Sequence, residues 1–182
     1  MKKTILVFGL ISGLISSALM IGAMGVEQRI GFDKGLIVGY TILVSSMLLV
    51  YFGIRSYRDN IGAGEITFGK AFAIGIGITV ISSLFYVVTW EIAYFNFMHD
   101  FMDKYGAYMV EKAKSSGATA EALKKTTEQV EMYRRVYENP LTNGAMTFLE
   151  PFPVGLLVTL LSAAVLRRKP QAPGAVSPQP AS

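Results

Sequence analysis

The stretch AFAIGIGITVISSLFYVVTW, residues 71–90, decides the fold because it holds no charged side chain. A helix of that length rises about 30 Å, the thickness of a bilayer's hydrocarbon core. A half-buried strand or a soluble amphipathic helix would interleave polar positions, whereas this run is apolar on every face. Two more uncharged runs, 4–26 and 35–54, have the same character. A fourth, 151–166, is shorter and reaches spanning length when extended back through Glu150 to Met146. These runs predict an all-α polytopic membrane protein with four transmembrane helices, at about 4–26, 35–54, 71–95 and 146–166, in a membrane domain covering 1–168.

Composition agrees. The chain has 182 residues, 52% hydrophobic and 16% charged, against about 25% charged in an ordinary soluble domain. Mean hydropathy is +0.42. The absence of cysteine excludes disulfide scaffolds, Cys-zinc sites and thiol chemistry. A net charge of +4 raises the question of nucleic acid, but the basic residues cluster at the edges of the apolar blocks and form no separate patch.

Their placement predicts orientation instead. Lys2, Lys3, Arg55, Arg58, Lys70, Arg167, Arg168 and Lys169 fall together if both termini are cytoplasmic, with only Asp59 and Glu65 opposing them. In the short loop 27–34, Glu27 and Asp33 cancel Arg29 and Lys34. The segment between helices three and four is also rich in basic residues, but they are interleaved with acids along a long stretch and weigh less. The first run, preceded by Lys2 and Lys3, invites a signal-peptide reading with Ser16-Ser17-Ala18 as the cleavage site. It continues past the 7–15 apolar residues of such segments, through Met20, Ile21 and Met24, and so reads as a retained helix.

Small residues recur every fourth position: Gly9, Gly13 and Ser17; Gly35 and Gly39; Ala71 with Gly75; Ala73 with Gly77. In lipid such stripes let backbones approach closely. Packing within the bundle is their commoner use, and dimerisation the alternative.

Beyond Trp90, the residues Tyr94, Phe97, Phe101, Tyr105 and Tyr108 keep a helical period, so the third helix is expected to run on past the membrane. Ser115-Ser116-Gly117 reads as a turn, Thr119 as an N-cap, and Leu123, Thr127, Val130, Tyr133 and Tyr137 as one face of a further helix that Asn139-Pro140 ends. The expectation is an extramembrane helical hairpin over 96–140, with its aromatic stripe as hairpin core. Residues 169–182, rich in proline, alanine and glutamine, read as a disordered cytoplasmic tail.

No catalytic signature stands out. One histidine cannot supply a zinc-protease helix, and neither a P-loop nor a dinucleotide fingerprint is present. No catalytic residue, cofactor or metal is therefore predicted. What remains is a candidate polar cluster. Glu91 and Glu150 lie at matching depth near the same end of helices three and four, where an ionisable group is costly. Converging away from water, they could share a proton. Separately, each is an interfacial acid or the partner of a base such as Arg134. His99 and Asp103, one turn apart on a continuous helix, have a spacing that can hold a divalent cation between them. Glu150 before Pro151 also has a purely structural use, at the positive end of a helix whose first turn accepts proline.

The chain also resembles a family of bacterial membrane proteins, the domain-of-unknown-function family 4199. The resemblance is carried by Phe52-Gly53-Ile54-Arg55-Ser56-Tyr57-Arg58-Asp59, by Gly64-Glu65-Ile66-Thr67-Phe68-Gly69-Lys70-Ala71-Phe72, and by Phe85-Tyr86-Val87-Val88-Thr89-Trp90. It continues in Glu150-Pro151-Phe152-Pro153-Val154-Gly155-Leu156 and Arg167-Arg168-Lys169. It implies four membrane helices with an external segment between the third and fourth, and it brings no activity or site residues.

The functional expectation is a non-enzymatic inner-membrane protein acting as an interaction or assembly module. Its partners would be the bilayer and either a second copy or another membrane or periplasmic protein, with no nucleic acid. The alternative is a small-solute or cation permeation protein using Glu91 and Glu150.

Overall fold

The computed structural model describes residues 1–168. The expected tail, Lys169 included, lies outside the described residues. The helices are α1 (Lys2–Ile30), α2 (Phe32–Asn60), α3 (Phe68–Phe97), α4 (Phe101–Ser115), α5 (Ala120–Glu138), α6 (Pro140–Phe148) and α7 (Pro151–Leu166). Among the described residues four stretches are long and apolar enough to cross a membrane: Lys2–Gly25, Phe32–Asn60, Phe68–Phe97 and Pro140–Leu166. The chain is thus an all-helical, multi-pass membrane protein. Among the described residues the sole strand-like feature is an antiparallel bridge between Ile66 and Arg168.

The membrane helices begin where the sequence supplies caps. Thr67 Oγ1 accepts the Lys70 amide at the start of α3, Asn139 Oδ1 accepts the Leu141 amide at the start of α6, and Pro140 and Pro151 occupy first turns, where no N–H is missed. The loop expected over 27–34 contracts to Gly31, whose φ of 80° suits glycine and separates α1 from α2. Charges interrupt the apolar run before the helix itself ends, because a charged side chain beyond the hydrocarbon layer does not break helical backbone.

Small residues set how the helices meet. A Cβ added at Gly9 would stand 2.9 Å from Ile81 Cβ, one at Gly13 2.7 Å from Phe85 Cβ, and one at Gly77 2.9 Å from Ile5 Cγ2. The pairs 5/77, 9/81 and 13/85 keep one offset, so α1 and α3 run parallel, and the Thr89 hydroxyl donates to Ser17 Oγ at 2.7 Å one turn further along. On the opposite face of α3, Gly75 meets Thr159 and Gly155 meets Thr79, so α7 runs antiparallel to it. Ser12 Oγ donates to the Ser46 carbonyl at 3.0 Å and lies 3.0 Å from Ser82 Oγ, tying α1, α2 and α3 together at mid-depth. Three of the four small-residue stripes therefore pack inside the bundle. Gly35 and Gly39 instead line a cavity.

This topology gathers Lys2, Lys3, Arg55, Arg58, Lys70, Arg167 and Arg168 at one end, hereafter the basic end. There Asp59 accepts from Arg58 at 2.7 Å and lies 3.4 Å from Arg55. The basic half of the bundle is filled by Leu43, Met47, Val50, Ile54, Ala71, Ile74, Ile78, Ala163 and Leu166. Outward faces are apolar too: Leu14 is 58% and Val165 74% exposed, as lipid contact requires.

The expected continuation of the third helix does not occur. Met98, at φ −126° and ψ 43°, ends α3, and α4 starts three residues later. On a continuous helix Phe101 would lie about 16 Å beyond Trp90. Instead their ring centroids are 5.3 Å apart. The chain turns back and lays α4 across the end of the bundle.

A candidate cleft at the aromatic end

Opposite the basic end, α2 leaves its neighbours. All its buried residues lie between Leu43 and Ile54, and its first turns border a cavity of about 180 Å³. A Cβ at Gly39 would meet nothing within 4 Å. Gly39 thus leaves space where the other stripes bring helices into contact, and Gly35, Tyr40, Tyr86, Trp90 and Glu150 wall that space. A second cavity, of about 240 Å³, is lined by Phe32, Tyr105, Tyr133 and Tyr137 and shares Leu36, Trp90, Phe101 and Glu150 with the first. Glu150 stands at the junction. The Tyr86 hydroxyl donates to its Oε2 at 3.1 Å, and among the described residues no cation pairs with it. Glu150 is accessible, and these cavities are the space onto which it opens.

Thr79, Ser82, Ser83, Tyr86 and Trp90 recur at three- and four-residue intervals along one face of α3. That polar face leads from the cleft to mid-bundle, where Thr79 Oγ1 lies 3.2 Å from Thr159 Oγ1 and the apolar core begins.

The roof is built by α4, α5 and α6. Asn143, fully buried, accepts from Trp90 Nε1 at 2.9 Å and from Thr147 Oγ1 at 3.2 Å, and donates to the Tyr137 carbonyl at 3.3 Å. Val130 of α5 packs over Gly106 of α4, and Arg134 pairs with Asp103. The stripe Phe101, Tyr105, Tyr108 lies against Phe32 at the start of α2, with ring centroids 6.1, 5.4 and 5.1 Å away. Beyond it Asp33 accepts from the Tyr108 hydroxyl at 2.5 Å and from Lys112. The aromatic stripe is therefore a docking face onto the bundle as much as a core for α4 and α5. Phe97, grouped with it by period, is 80% exposed because the turn at Met98 separates it from the rest.

The three acids and one imidazole of the expected cluster have separate surroundings. Glu91 lies about 140° around α3 from Tyr86. Its Oε1 faces Gly144 of α6 and is buried without a hydrogen-bond partner among the described residues. It lines neither cavity that Glu150 lines. His99 is exposed in the turn between α3 and α4, so the helical repeat relating it to Asp103 is interrupted, and Asp103 is taken by Arg134. Among the described residues no three His, Asp or Glu side chains come together as ion ligands. Tyr86, Trp90 and Asn143 were not singled out from sequence. The available signal was a lone amide beside a membrane run, where polar groups seek partners, and the one-turn spacing of Tyr86 and Trp90.

A family model described as protein of unknown function (DUF4199) matches residues 7–168, nearly the whole chain. The chain belongs to this family. No curated protein and no solved structure matches it. For this DUF4199 chain, the match spans all four membrane helices and the α4–α6 roof.

The roof has a pH signature. Hydrogen bonds with Asp33 and Tyr108 hold the Lys112 ammonium above the usual lysine range. Burial, reinforced by the charge of Glu150, pushes the Tyr137 hydroxyl up to about 12. Both groups titrate higher in the folded state, so their contributions are complete below the ordinary values near 10 and fade as pH rises through the folded ones. The detergent-unfolding midpoint should hold level from about pH 7 to 9 and fall above about pH 10. Lys112→Met should lower the midpoint slightly at pH 8, since the pair is exposed, and flatten part of the alkaline fall. Superimposable curves for the two proteins would contradict the role given to Lys112.

Proposed function

We propose that this protein is a non-enzymatic interaction or assembly module of the bacterial inner membrane, with both termini in the cytoplasm and α4–α5 standing outside as a helical hairpin. The single observation that carries the reading is the roof. One side of the α4–α5 pair is committed to the bundle through Phe32, Asp33 and Trp90, while α5 turns Met132, 52% exposed, outward beside a recess lined by Glu128, Glu131 and Arg135. A docked helical pair with a free mixed-charge face suits protein contact. The orientation is supported by the basic end, whose residues favour the cytoplasmic side.

The chain's lack of cysteine makes the test clean. Single cysteines at Ser116, in the α4–α5 turn, and at Asn60, at the basic end, should label oppositely with an impermeant maleimide: Ser116→Cys in intact cells' outer space, Asn60→Cys after permeabilisation. A photocrosslinker at Met132 should capture a discrete product in membranes, a second copy or a distinct protein. Labelling in the reverse sense, or a monomer with no product, removes the proposal.

The permeation reading draws on one observation, the opening of Glu150 onto a cleft at membrane depth. Against it, the two acids line no common cavity and the basic half is closed by Met47, Val50, Ile54 and Ile78. Vesicle flux that is unchanged by replacing both acids with glutamine excludes their part in transport.

A further inference from the structure

We infer that the cleft around Glu150 is a binding site for a small amphiphilic organic cation, a primary ammonium carried on an apolar or aromatic body. The inference goes beyond the assembly reading and does not depend on it. Two adjoining cavities of about 180 and 240 Å³ meet at one carboxylate, and together they reach the roughly 300–1,000 Å³ typical of small-molecule pockets. That carboxylate has a single hydrogen-bond donor, Tyr86, and no cationic partner among the described residues, so it retains capacity for an ammonium. The walls are aromatic: Trp90, Phe101, Tyr105 and Tyr137 are rings whose faces attract a cation and which can pack against another ring. Among the described residues no lysine or arginine lines either cavity, which disfavours an anion. A hard divalent ion asks for about six oxygen ligands, and one carboxylate with phenols does not supply them. Gly39 supplies room, since a side chain there would project into open space.

Trp90 is the chain's one tryptophan and lines both cavities, so its emission reports on occupancy. The purified protein in detergent is titrated with phenethylamine at pH 7, alongside phenethyl alcohol as the neutral isostere and phenylacetate as the anion. The amine should change Trp90 emission saturably, with at least tenfold higher affinity than the alcohol, and phenylacetate should give no saturable response. Glu150→Gln should weaken the amine at least tenfold and leave the alcohol's response unaltered. Gly39→Leu, which narrows the cavity while keeping the acid, should weaken amine and alcohol alike. Equal responses to amine and alcohol would reduce the cleft to an apolar void and overturn the assignment. So would wild-type amine affinity in a helical, monodisperse Glu150→Gln protein. Should that variant not fold, undiminished amine binding by Gly39→Leu overturns it in the same way.

Discussion

Gly13→Ala should destabilise the bundle by about 1–3 kcal/mol, while Gly22→Ala on the same helix should be neutral or stabilising. By intrinsic preference both changes favour the helix, by up to about 1 kcal/mol. Tertiary contact reverses the sign at Gly13. Its added Cβ would stand 2.7 Å from both Cβ and Cγ of Phe85. A ring can rotate away, but a Cβ is fixed to its backbone, so α1 and α3 must separate. Separation also strains the Thr89–Ser17 hydrogen bond one turn along the seam. At Gly22 the new methyl meets nothing within 4 Å. Unfolding in mixed detergent followed by far-ultraviolet circular dichroism measures both. If the Gly9–Gly13–Ser17 stripe served dimerisation instead, Gly13→Ala would alter the oligomer and leave the monomer's unfolding in place. Equal midpoints for the two variants would refute the seam.

Asn143→Ala should cost about 1–3 kcal/mol and shift Trp90 emission. Its side chain is fully buried and joins three elements: Trp90 of α3, Thr147 of α6 and the Tyr137 carbonyl of α5. Hydrogen bonds between membrane helices average only about 0.6 kcal/mol each. Here one deletion strands an indole N–H and a hydroxyl together and leaves a small void, which places the expected loss above that average. Asn96→Ala is the matched control. Asn96 is exposed and bonds the Ile92 carbonyl within its own helix at 2.8 Å, so its loss should stay within about 0.5 kcal/mol. Comparable effects at the two positions would mean that Asn143 does not hold the roof.

The legible and illegible parts of this protein divide by range of interaction. The spans, the cap at Thr119, the end of α5 at Asn139-Pro140 and the start of α7 at Pro151 follow from local rules that a single chain segment obeys. The turn at Met98 does not. The aromatic period runs through it unbroken, and only the gain from seating Phe101 on Trp90 and Phe32 accounts for the fold-back. Glu150 could be marked as unusual from its depth alone, yet its companions could not be chosen. Glu91 is equally deep, but its bearing on α3 turns it toward Gly144, while Tyr86, unmarked by charge, faces the acid. The glycine stripes show the same limit. Gly9, Gly13, Gly35 and Gly39 carry one spacing, but the first two bring backbones together and Gly39 borders empty space.

By itself, then, the sequence determined a four-span, all-helical membrane protein with its basic residues at one end, because hydropathy and charge act on each segment independently of the rest. Tertiary structure alone decided that α4 folds back as a roof, which glycines pack and which leave a cleft, and that Glu150 meets Tyr86 while Glu91 does not. Those outcomes depend on the bearing of side chains around neighbouring helices, and a spacing of four residues is the same on every face.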